Sequence, residues 1–387
     1  MRQRVAVLGS TGSIGEQTIE VLRLHSDLFE PITLAANCNW RRLAEQARET
    51  GPDNVIIADK TYYAELKAAL ADLPVKVYAG AEAIGQIVAE TNVDVVVNAL
   101  VGYAGLVPTV KAVQAGKRVA LANKESLVAA GELVMRLVHK HRVPLLPIDS
   151  EHSAILQCLA GEQMPVERVI LTASGGALRD LPAEKMAGVT AEQALAHPNW
   201  RMGPKITVDS STLVNKGFEV IEAHWLFGLP AEKIDVLIHP QSIVHSMVEF
   251  ADGAIKAQMG TPDMKVPIQY ALTFPQRLPS DFPRLSFAQH PELTFAEVDR
   301  VKYPALDIAY ECLRAGGTSC CALNAANEAA VAAFLEGRIG WHGIVRTIGE
   351  TLEHTESCER PTLDDYIDCN TEAKNIANRI IESSLRA

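Results

Sequence analysis

Short apolar segments alternate with helical segments along the first 150 residues. Several of the apolar segments, such as residues 93–97, are apolar at nearly every position, which is typical of parallel strands covered on both faces. The pattern predicts seven strands, at residues 5–8, 32–36, 54–58, 75–78, 94–99, 118–122 and 144–148. Their alternation with helices predicts an α/β fold that begins with a Rossmann-like, doubly wound parallel sheet.

After Asp149 the hydrophobic pattern changes. Strands are predicted at 169–172, 234–238, 243–250 and 254–259, and Asp252-Gly253 is a strong hairpin signal between the last two. Helices are predicted at 152–160, 212–226 and 263–273. This mixture indicates a central α+β domain with a mostly antiparallel sheet.

Four prolines between 275 and 300 predict an extended linker. A C-terminal α-helical bundle is predicted beyond it, with helices at 304–315, 321–336, 341–355 and 362–384. The predicted domains are therefore 1–149 for dinucleotide binding, 150–274 for catalysis, 275–300 as the linker and 301–387 as the bundle.

Composition narrows the function classes. The net charge of −11 argues against a general nucleic-acid binder, although a small anion can still find a locally positive pocket. No apolar stretch of about 18 residues occurs and the N-terminus resembles no targeting peptide, so neither a membrane span nor export is expected. The seven cysteines form no C-x-x-C pair, which favours a reducing cytoplasm over a disulfide framework.

A glycine-rich loop, Gly9-Ser-Thr-Gly12-Ser-Ile-Gly15, joins the first predicted strand to a helix. In that context glycines let main-chain N–H groups approach a pyrophosphate at the helix N-terminus. The spacing G-x-x-G-x-x-G differs from the usual G-x-G-x-x-G, and the alternative is an ordinary tight turn.

The end of the second strand indicates which dinucleotide is bound. An NAD site expects an acid there, but the chain has Asn37-Cys38-Asn39-Trp40-Arg41-Arg42. A carboxylate would repel a 2′-phosphate, so its absence and the two arginines favour NADP. Alternatively, the arginines belong to a solvated helix start.

Polar residues follow the sixth and seventh strands. Asn123-Lys124-Glu125-Ser126 and Asp149-Ser150-Glu151-His152 lie at carboxyl ends of parallel strands, where ligands bind in such sheets. Asp149 and Glu151 share a face of an extended segment, and two carboxylates there suit Mg²⁺ or Mn²⁺. The alternative is that one of them caps the next helix.

The segment 209–219 is also rich in polar groups. If Thr212 opens a helix, Asn215 and Glu219 lie on one face, with Lys216 on an adjoining edge. Glu219 could then be a third metal ligand. Ser210, Asn215 and Lys216, with Ser174 at the end of an earlier strand, could hold a phosphate. Taken singly, each is better explained by a helix cap, a solvated face or a turn.

Residues 182–204 are predicted to form a mobile lid. Little regular structure is expected there, because Pro182, Gly188 and Pro198 interrupt the segment. Trp200 could cover a substrate or simply pack within the fold, and His197 could contact a substrate or be a structural loop histidine. His224 and His245 are expected to be structural, because neither has a second histidine at metal-binding spacing.

Taken together, these segments resemble the 1-deoxy-D-xylulose 5-phosphate reductoisomerase family from the start of the chain to about residue 275. The resemblance is carried in family order by the motifs Gly9-Ser-Thr-Gly-Ser-Ile-Gly15, Ala122-Asn-Lys-Glu-Ser126, Ile148-Asp-Ser-Glu-His152, Thr172-Ala-Ser-Gly-Gly176, His197-Pro-Asn-Trp200, Val208-Asp-Ser210, Asn215-Lys-Gly217 with Glu219, and His239-Pro-Gln-Ser-Ile-Val-His245.

The resemblance implies rearrangement and NADPH-dependent reduction of 1-deoxy-D-xylulose 5-phosphate to 2-C-methyl-D-erythritol 4-phosphate, by a homodimer. It implies a divalent cation at Asp149, Glu151 and Glu219. It implies NADPH contacts at Thr11, Gly12, Ser13, Ile14, Asn39, Asn123, Glu125 and Gly203. It implies substrate contacts at Lys124, Ser150, Glu151, Ser174, His197, Ser210, Asn215, Lys216 and Glu219, with Trp200 as the cover and Lys124, Asp149, Glu151 and Glu219 as the catalytic set.

One position departs from the family pattern. Cys38 stands where the family usually has Arg or Lys, which leaves the 2′-phosphate contact open. Two other functions are also compatible with parts of the chain. A different NADP-dependent dehydrogenase, such as one acting on a semialdehyde, would explain the N-terminal half without needing three carboxylates. A non-catalytic NADP sensor would explain the glycine loop but not Lys124 beside the two acids.

Overall fold

A computed structural model describes residues 1–90 and 92–384. By compactness the chain divides into two units, each considered by itself. Unit 1 contains residues 1–90, 92–126, 134–153 and 263–282, and unit 2 contains residues 127–133, 154–262 and 283–384. The predicted domain boundaries at 149, 274 and 300 do not coincide with the limits of these two units, and they stay a prediction.

Unit 1 is built on a seven-stranded parallel sheet. Its strands are β1 (Gln3–Leu8), β2 (Phe29–Ala36), β3 (Asn54–Ile57), β4 (Lys76–Ala79), β5 (Val95–Asn98), β6 (Arg118–Leu121) and β7 (Leu145–Pro147). The order is β4-β3-β2-β1-β5-β6-β7, so the predicted doubly wound α/β sheet is confirmed. The order reverses at β1, which has β2 on one side and β5 on the other, and this is where such sheets bind ligands.

Seven helices accompany this sheet in the chain. They are α1 (Ser13–Leu24), α2 (Trp40–Thr50), α3 (Tyr63–Ala69), α4 (Ala81–Ile87), α5 (Leu106–Gln114), α6 (Glu125–His141) and α7 (Ser150–Leu159). Helix α2 buries Leu43, Ala44 and Ala47 at helical spacing and ends at Gly51, whose φ of 62° is left-handed. Helix α6 is broken at Ala130, where the backbone is not helical.

Unit 2 contains a five-stranded sheet. Its strands are β8 (Val166–Ala173), β9 (Ile234–Ile238), β10 (Val244–Phe250), β11 (Ile255–Met259) and β12 (Ala296–Glu297), in the order β11-β10-β8-β9-β12. Only β8 and β9 pair in parallel, so the prediction of a mostly antiparallel sheet is confirmed. Strand β12 was missed inside the predicted linker, because two residues are too short to show a hydrophobic pattern.

The remaining helices are α8 (Ala191–Leu195), α9 (Pro204–Thr212), α10 (Val214–Phe227), α11 (Lys265–Thr273), α12 (Ala305–Ala315), α13 (Ser319–Leu335), α14 (Trp341–His354) and α15 (Leu363–Ser384). Helix α11 belongs to unit 1 and packs on α1; the others belong to unit 2. The four predicted C-terminal helices are confirmed, and α14 and α15 pack on α13 with Trp341 and Tyr366 fully buried. Among the described residues, no helix is both long and apolar enough to cross a membrane.

The predicted helix at 212–226 was wrong at its start. Residues 204–212 form a helix of their own, with Pro204 in the first turn, where its missing N–H is tolerated. Leu213 then adopts a left-handed φ of 58°, which ends α9, and α10 begins at Val214. Thr212 therefore closes one helix and does not open the next.

Candidate active site

The glycine loop of unit 1 is held so closely that side chains are excluded. A Cβ on Gly9, whose φ is 79°, would lie 2.4 Å from the Ala99 carbonyl oxygen, and one on Gly15 would lie 2.2 Å from the Gly9 carbonyl oxygen. Gly12 and Ser13 are exposed, and no side chain caps the N-terminus of α1. The loop with Thr11, Gly12, Ser13 and Ile14 therefore fits a pyrophosphate on an accessible helix N-terminus.

Two polar residues that follow β2, Asn39 and Arg42, make hydrogen bonds within unit 1. Asn39 caps α2, since its side chain accepts a hydrogen bond from the Arg42 main-chain N–H at 3.3 Å. The Arg42 guanidinium donates to Glu16 at 2.7 and 2.9 Å, to Glu45 at 3.0 Å and to Glu49 at 2.9 Å. Arg41 instead lies 4.5 Å from the Trp40 ring centroid. Of the two arginines, Arg41 is therefore the better candidate for a 2′-phosphate.

Asn123 organises the loop after β6. Its Nδ2 donates to the Leu100 and Gly102 carbonyls, both at 2.8 Å, and to Glu125 at 3.1 Å. Its Oδ1 accepts hydrogen bonds from the main chain and the hydroxyl of Ser126. These contacts occupy the Asn123 side chain, and the predicted contact of Asn123 with NADPH stays a prediction. Glu125 is buried beside it.

Lys124 and Asp149 form a buried ion pair at 2.6 Å, so two strand ends of unit 1 meet as predicted. Burial alone would raise the pKa of Asp149, but Lys124 and His152, whose Nδ1 is 3.7 Å away, hold that pKa well below its usual value. Ser150 donates to Glu151 at 2.5 Å. Both acids lie at the start of α7, Asp149 immediately before it and Glu151 in its first turn.

In unit 2, α10 brings together three of the predicted residues. Asn215 Nδ2 donates to Glu219 Oε1 at 2.5 Å, as the four-residue spacing predicted. Lys216 Nζ donates to the Thr172 carbonyl at 2.6 Å and forms an ion pair with Glu219 Oε2. Lys216 and Glu219 are both almost fully buried. The buried ammonium of Lys216 thus contacts the backbone near the end of β8, at Thr172, and the Glu219 carboxylate lies beside it.

Ser174 follows β8 and contacts His197. The Ser174 Oγ and His197 Nε2 are 3.0 Å apart, and the Gly176 N–H donates to Ser174 Oγ at 3.1 Å. A Cβ on Gly176 would lie 2.6 Å from the Ser210 carbonyl oxygen, so this loop also touches α9 at Ser210. The candidate phosphate residues Ser174 and Ser210 therefore lie on segments that contact each other at Gly176.

The predicted lid is more regular than expected. Residues 183–188 form a 3₁₀ helix and 191–195 form α8, which a Thr190–Gln193 capping box starts. The prediction of an irregular segment was wrong there, because a capping box can begin a helix of only five residues. It holds for 196–203, which contains His197, Trp200 and Gly203.

This irregular segment is anchored on unit 2. Asn199 Nδ2 donates to the Pro240 carbonyl at 2.7 Å and to Ser242 Oγ at 3.0 Å. The Trp200 ring lies 6.2 Å from the His245 ring. Burial lowers the pKa of His245 to about 4, so the imidazole is neutral, as expected of a structural histidine.

Three polar residues of unit 2 were missed. Asp209 is buried between Lys205, at 2.8 Å, and Asn327, also at 2.8 Å. Arg179 and Lys302 hold the loop that carries Ser174. Asp209 was visible within the polar segment 209–219. The partners of Lys302 lie more than 120 residues away, so no local spacing pointed to it. Arg179 contacts Ser174 and Asp180 nearby in the chain, but no motif singled it out.

The chain matches family models over most of its length. The model of 1-deoxy-D-xylulose 5-phosphate reductoisomerase matches residues 5–131, that of its C-terminal domain matches 145–227, and that of a further DXP reductoisomerase C-terminal domain matches 259–376. The 1-deoxy-D-xylulose 5-phosphate reductoisomerase of Bacteroides fragilis is 52% identical over 381 residues, which cover 98% of each chain. That of Porphyromonas gingivalis is 50% identical over 381 residues, covering 98% of this chain and 99% of the relative.

Solved structures give the same result. The reductoisomerase of Zymomonas mobilis in complex with NADPH has a TM-score of 0.92 at 43% identity, covering 99% of this chain and all of that one. A DOX-P reductoisomerase in complex with NADPH, fosmidomycin and magnesium has a TM-score of 0.93 at 38% identity, covering 98% of both chains. The resemblance inferred from eight short motifs is thus confirmed over nearly the full length, and the chain belongs to the 1-deoxy-D-xylulose 5-phosphate reductoisomerase family.

Proposed function

We propose that the chain catalyses NADPH- and divalent-metal-dependent conversion of 1-deoxy-D-xylulose 5-phosphate to 2-C-methyl-D-erythritol 4-phosphate. The observation that carries the proposal is a pair of buried lysine–carboxylate contacts, Lys124 with Asp149 and Lys216 with Glu219, in a chain of this family. They supply ionised metal ligands together with fixed positive charge for an anionic substrate. A semialdehyde dehydrogenase or an NADP sensor would not need both.

The cofactor that fits unit 1 is NADPH. The loop at Thr11, Gly12, Ser13 and Ile14 would receive the pyrophosphate, since the flanking Gly9 and Gly15 leave no room for a Cβ and α1 begins there. Asn39, Asn123, Glu125 and Gly203 complete the proposed contacts. NADPH supplies the hydride for the reduction. The chain would hold the dinucleotide. Because Cys38 and Asn39 carry no carboxylate, neither residue would repel the 2′-phosphate.

The metal would be held by Asp149, Glu151 and Glu219. Carboxylate oxygens are the ligands that Mg²⁺ and Mn²⁺ prefer, and the lysine beside Asp149 keeps that carboxylate ionised, so the donor set fits. When bound, such a cation polarises a carbonyl oxygen as a Lewis acid. A structure of a related reductoisomerase contains magnesium.

The substrate's phosphate would bind to Ser174, Ser210, Asn215 and Lys216. Lys216 supplies the charge, and the hydroxyls and the amide supply directed hydrogen bonds. Lys124 is placed to stabilise negative charge that develops on a substrate oxygen. Ser150 and Glu151 lie next to Asp149 and would contact the same part of the substrate.

His197 and Trp200 would close over the bound substrate and exclude water, which protects a rearrangement from side reactions. Protease cleavage within 196–203 should slow severalfold when substrate is present. Cleavage at equal rates with and without substrate would contradict closure.

The direct test of the proposed function is an assay of purified protein with 1-deoxy-D-xylulose 5-phosphate, NADPH and Mg²⁺ or Mn²⁺. Oxidation of NADPH and formation of 2-C-methyl-D-erythritol 4-phosphate, both requiring metal after chelation, are expected. Reduction of a semialdehyde instead would favour another dehydrogenase. Binding of NADPH without turnover of either substrate would favour a sensor.

A homodimer and a cytoplasmic location are proposed as well. The five-stranded sheet has β11 as an edge, and Ile255 on that strand is 53% exposed, so a strand edge with an exposed apolar side chain is offered to a second copy. The seven cysteines are free, which suits a reducing compartment. Light scattering of the purified protein should give twice the chain mass of 41.9 kDa.

A further inference from the structure

Lys302 holds a turn of unit 2 that follows the predicted phosphate-binding Ser174. Its Nζ donates to three main-chain carbonyls, those of Leu178 at 2.9 Å, Arg179 at 2.8 Å and Leu181 at 2.7 Å. An ammonium group has three hydrogens, so these carbonyls match its donors one for one. The Lys302 backbone is itself fixed, because its N–H donates to Asp299 at 3.0 Å.

Arg179 carries this arrangement back to Ser174. Its Nη1 donates to the Ser174 carbonyl at 2.8 Å, and its Nε and Nη2 donate to Asp180 at 3.1 and 2.9 Å. The aliphatic part of Arg179 covers Gly175, where a Cβ would lie 2.8 Å from both Cγ and Cδ. The main chain at 174–175 is thus clamped by a side chain whose own backbone Lys302 fixes.

The hydrogen bonds around Ser174 define the direction of its hydroxyl. His197 Nδ1 accepts from the Asn199 N–H at 3.2 Å and the Trp200 N–H at 3.0 Å, so the proton of a neutral imidazole is on Nε2. Nε2 therefore donates to Ser174 Oγ, which also accepts from Gly176. With both lone pairs of Oγ used, the hydroxyl hydrogen is left to donate to a further acceptor such as a phosphate oxygen.

We propose that Lys302 is a positioning residue for the substrate, acting through Arg179 to fix Ser174 so that its hydroxyl donates to the phosphate. This deepens the proposed function and rests on it, since it requires Ser174 to bind the substrate's phosphate. The Lys302 ammonium donates to main-chain carbonyls of the turn and lies 5.1 Å from the Tyr303 ring centroid. Lys302 belongs to the segment just before α12, so in this proposal it acts without contacting the substrate.

The test compares Lys302→Met with Lys302→Arg. Methionine has a similar length but no donors, whereas arginine keeps several N–H groups for the same carbonyls. Lys302→Met should raise the KM for 1-deoxy-D-xylulose 5-phosphate roughly tenfold, the factor expected when a hydrogen bond to a charged group is misplaced. The KM for NADPH should stay within about twofold. Lys302→Arg should recover most of the loss.

A matched control is Lys233→Met. Lys233 also donates to a main-chain carbonyl, that of Val166 at 3.2 Å, but at the opposite end of β8 from Ser174. Its substitution should leave both KM values unchanged. Equal effects of Lys233→Met and Lys302→Met would mean that Lys302 contributes only general stability, and would overturn the proposal.

A double-mutant cycle separates positioning from structure. If Lys302 acts through the Ser174 hydroxyl, Lys302→Met should add nothing to the KM of Ser174→Ala, whereas independent effects would multiply. Multiplied effects, or an unchanged KM in Lys302→Met alone, overturn the proposal. If Lys302→Met fails to fold, Arg179→Met serves in the same cycle, because it breaks the Ser174 contact and leaves Lys302 on its carbonyls.

The assay of the unmodified protein separates failure of the proposed function from failure of the inference on Lys302. If the unmodified protein does not turn over 1-deoxy-D-xylulose 5-phosphate, the proposed function fails. If it does, and Ser174→Ala raises the KM while Lys302→Met does not, the proposed function stands and the inference on Lys302 alone is wrong.

Discussion

The two units differ in how far along the chain their site residues find partners. In unit 1, the Asn39 side chain accepts a hydrogen bond from the N–H of Arg42, three residues further along the chain. Asn123 contacts Glu125 and Ser126, and Ser150 contacts Glu151. In unit 2, Lys216 reaches a carbonyl 44 residues away. Asp209 meets a residue 118 positions distant, and Lys302 one 124 positions distant. Unit 1 also uses contacts of intermediate range, such as Asn123 with Leu100 23 residues away, but among these site contacts those that span more than 40 residues are in unit 2.

The units also share a device. Each places a buried lysine against a carboxylate, Lys124 with Asp149 and Lys216 with Glu219. A buried ion whose partner is removed is left uncompensated, so the two pairs are the most sensitive points of the molecule. Changes on the substrate side should damage substrate and metal use, whereas changes on the nucleotide side should affect the choice of cofactor.

The largest effect is expected for Glu219→Gln. It keeps the shape but removes a metal ligand and leaves Lys216 without its ion pair, so kcat/KM should fall about a thousandfold, equivalent to about 4 kcal/mol. The metal concentration for half-maximal activity should rise steeply. NADPH affinity, measured by fluorescence titration, should be unchanged. Full activity of the wild type after exhaustive chelation would refute the metal site.

His245 should make unit 2 sensitive to acid. Burial lowers its native pKa from 6.5 to about 4, so below pH 6.5 the unfolded chain binds a proton that the native imidazole refuses. This contribution to the free energy of unfolding is present above pH 6.5 and is lost as the pH falls towards 4. The total loss is about 3 kcal/mol. Urea unfolding at a series of pH values should show a shallower decline for His245→Gln. Parallel declines in both proteins would contradict the assignment.

Lys216→Ala tests the phosphate subsite. Loss of a charge-assisted contact worth about 1.5–3 kcal/mol should raise the substrate KM about ten- to a hundredfold, with some loss of kcat because remote binding energy also serves the chemical step. Lys233→Ala, in the same unit but at the far end of β8, is the control. A loss that falls on NADPH instead would mean that this pocket receives the cofactor's phosphates.

Sequence patterns predicted the seven strands of unit 1 because each is a short apolar run followed by a helix. They missed the division at Leu213, since a leucine with positive φ has no local signature. They also missed β12, which is held by pairing with β9 and not by its own pattern.

The same distinction holds for the candidate site. The four-residue spacing of Asn215 and Glu219 predicted a contact that the structure contains, because a helix fixes it. Lys302 could not be found, because the tertiary fold brings to it the turn that contains Arg179. Asn123 shows the opposite case, where a motif residue proves to be occupied by the main chain around it.

The smallest effect, and the sharpest test of the nucleotide side, concerns Arg41 and Arg42. From the sequence alone, either arginine could bind the 2′-phosphate. It would then take over from the basic residue that the family usually has at the position of Cys38. Arg42 is engaged by Glu16, Glu45 and Glu49, and its hydrogen bonds to Glu16 and Glu49 hold its pKa above the usual value, whereas Arg41 only stacks on Trp40.

We therefore expect wild-type preference for NADPH over NADH, and about a tenfold fall in kcat/KM for NADPH alone in Arg41→Ala. Arg42→Ala should lower the thermal stability while leaving the ratio of the two cofactors in place, which makes it the matched control. Cys38→Arg should tighten NADPH selectively, since it restores a cation next to Asn39. The decisive measurement is kcat/KM with both cofactors for the four proteins. An NADH preference in the wild type, or a loss confined to Arg42→Ala, would show that the end of β2 recognises the cofactor in another way.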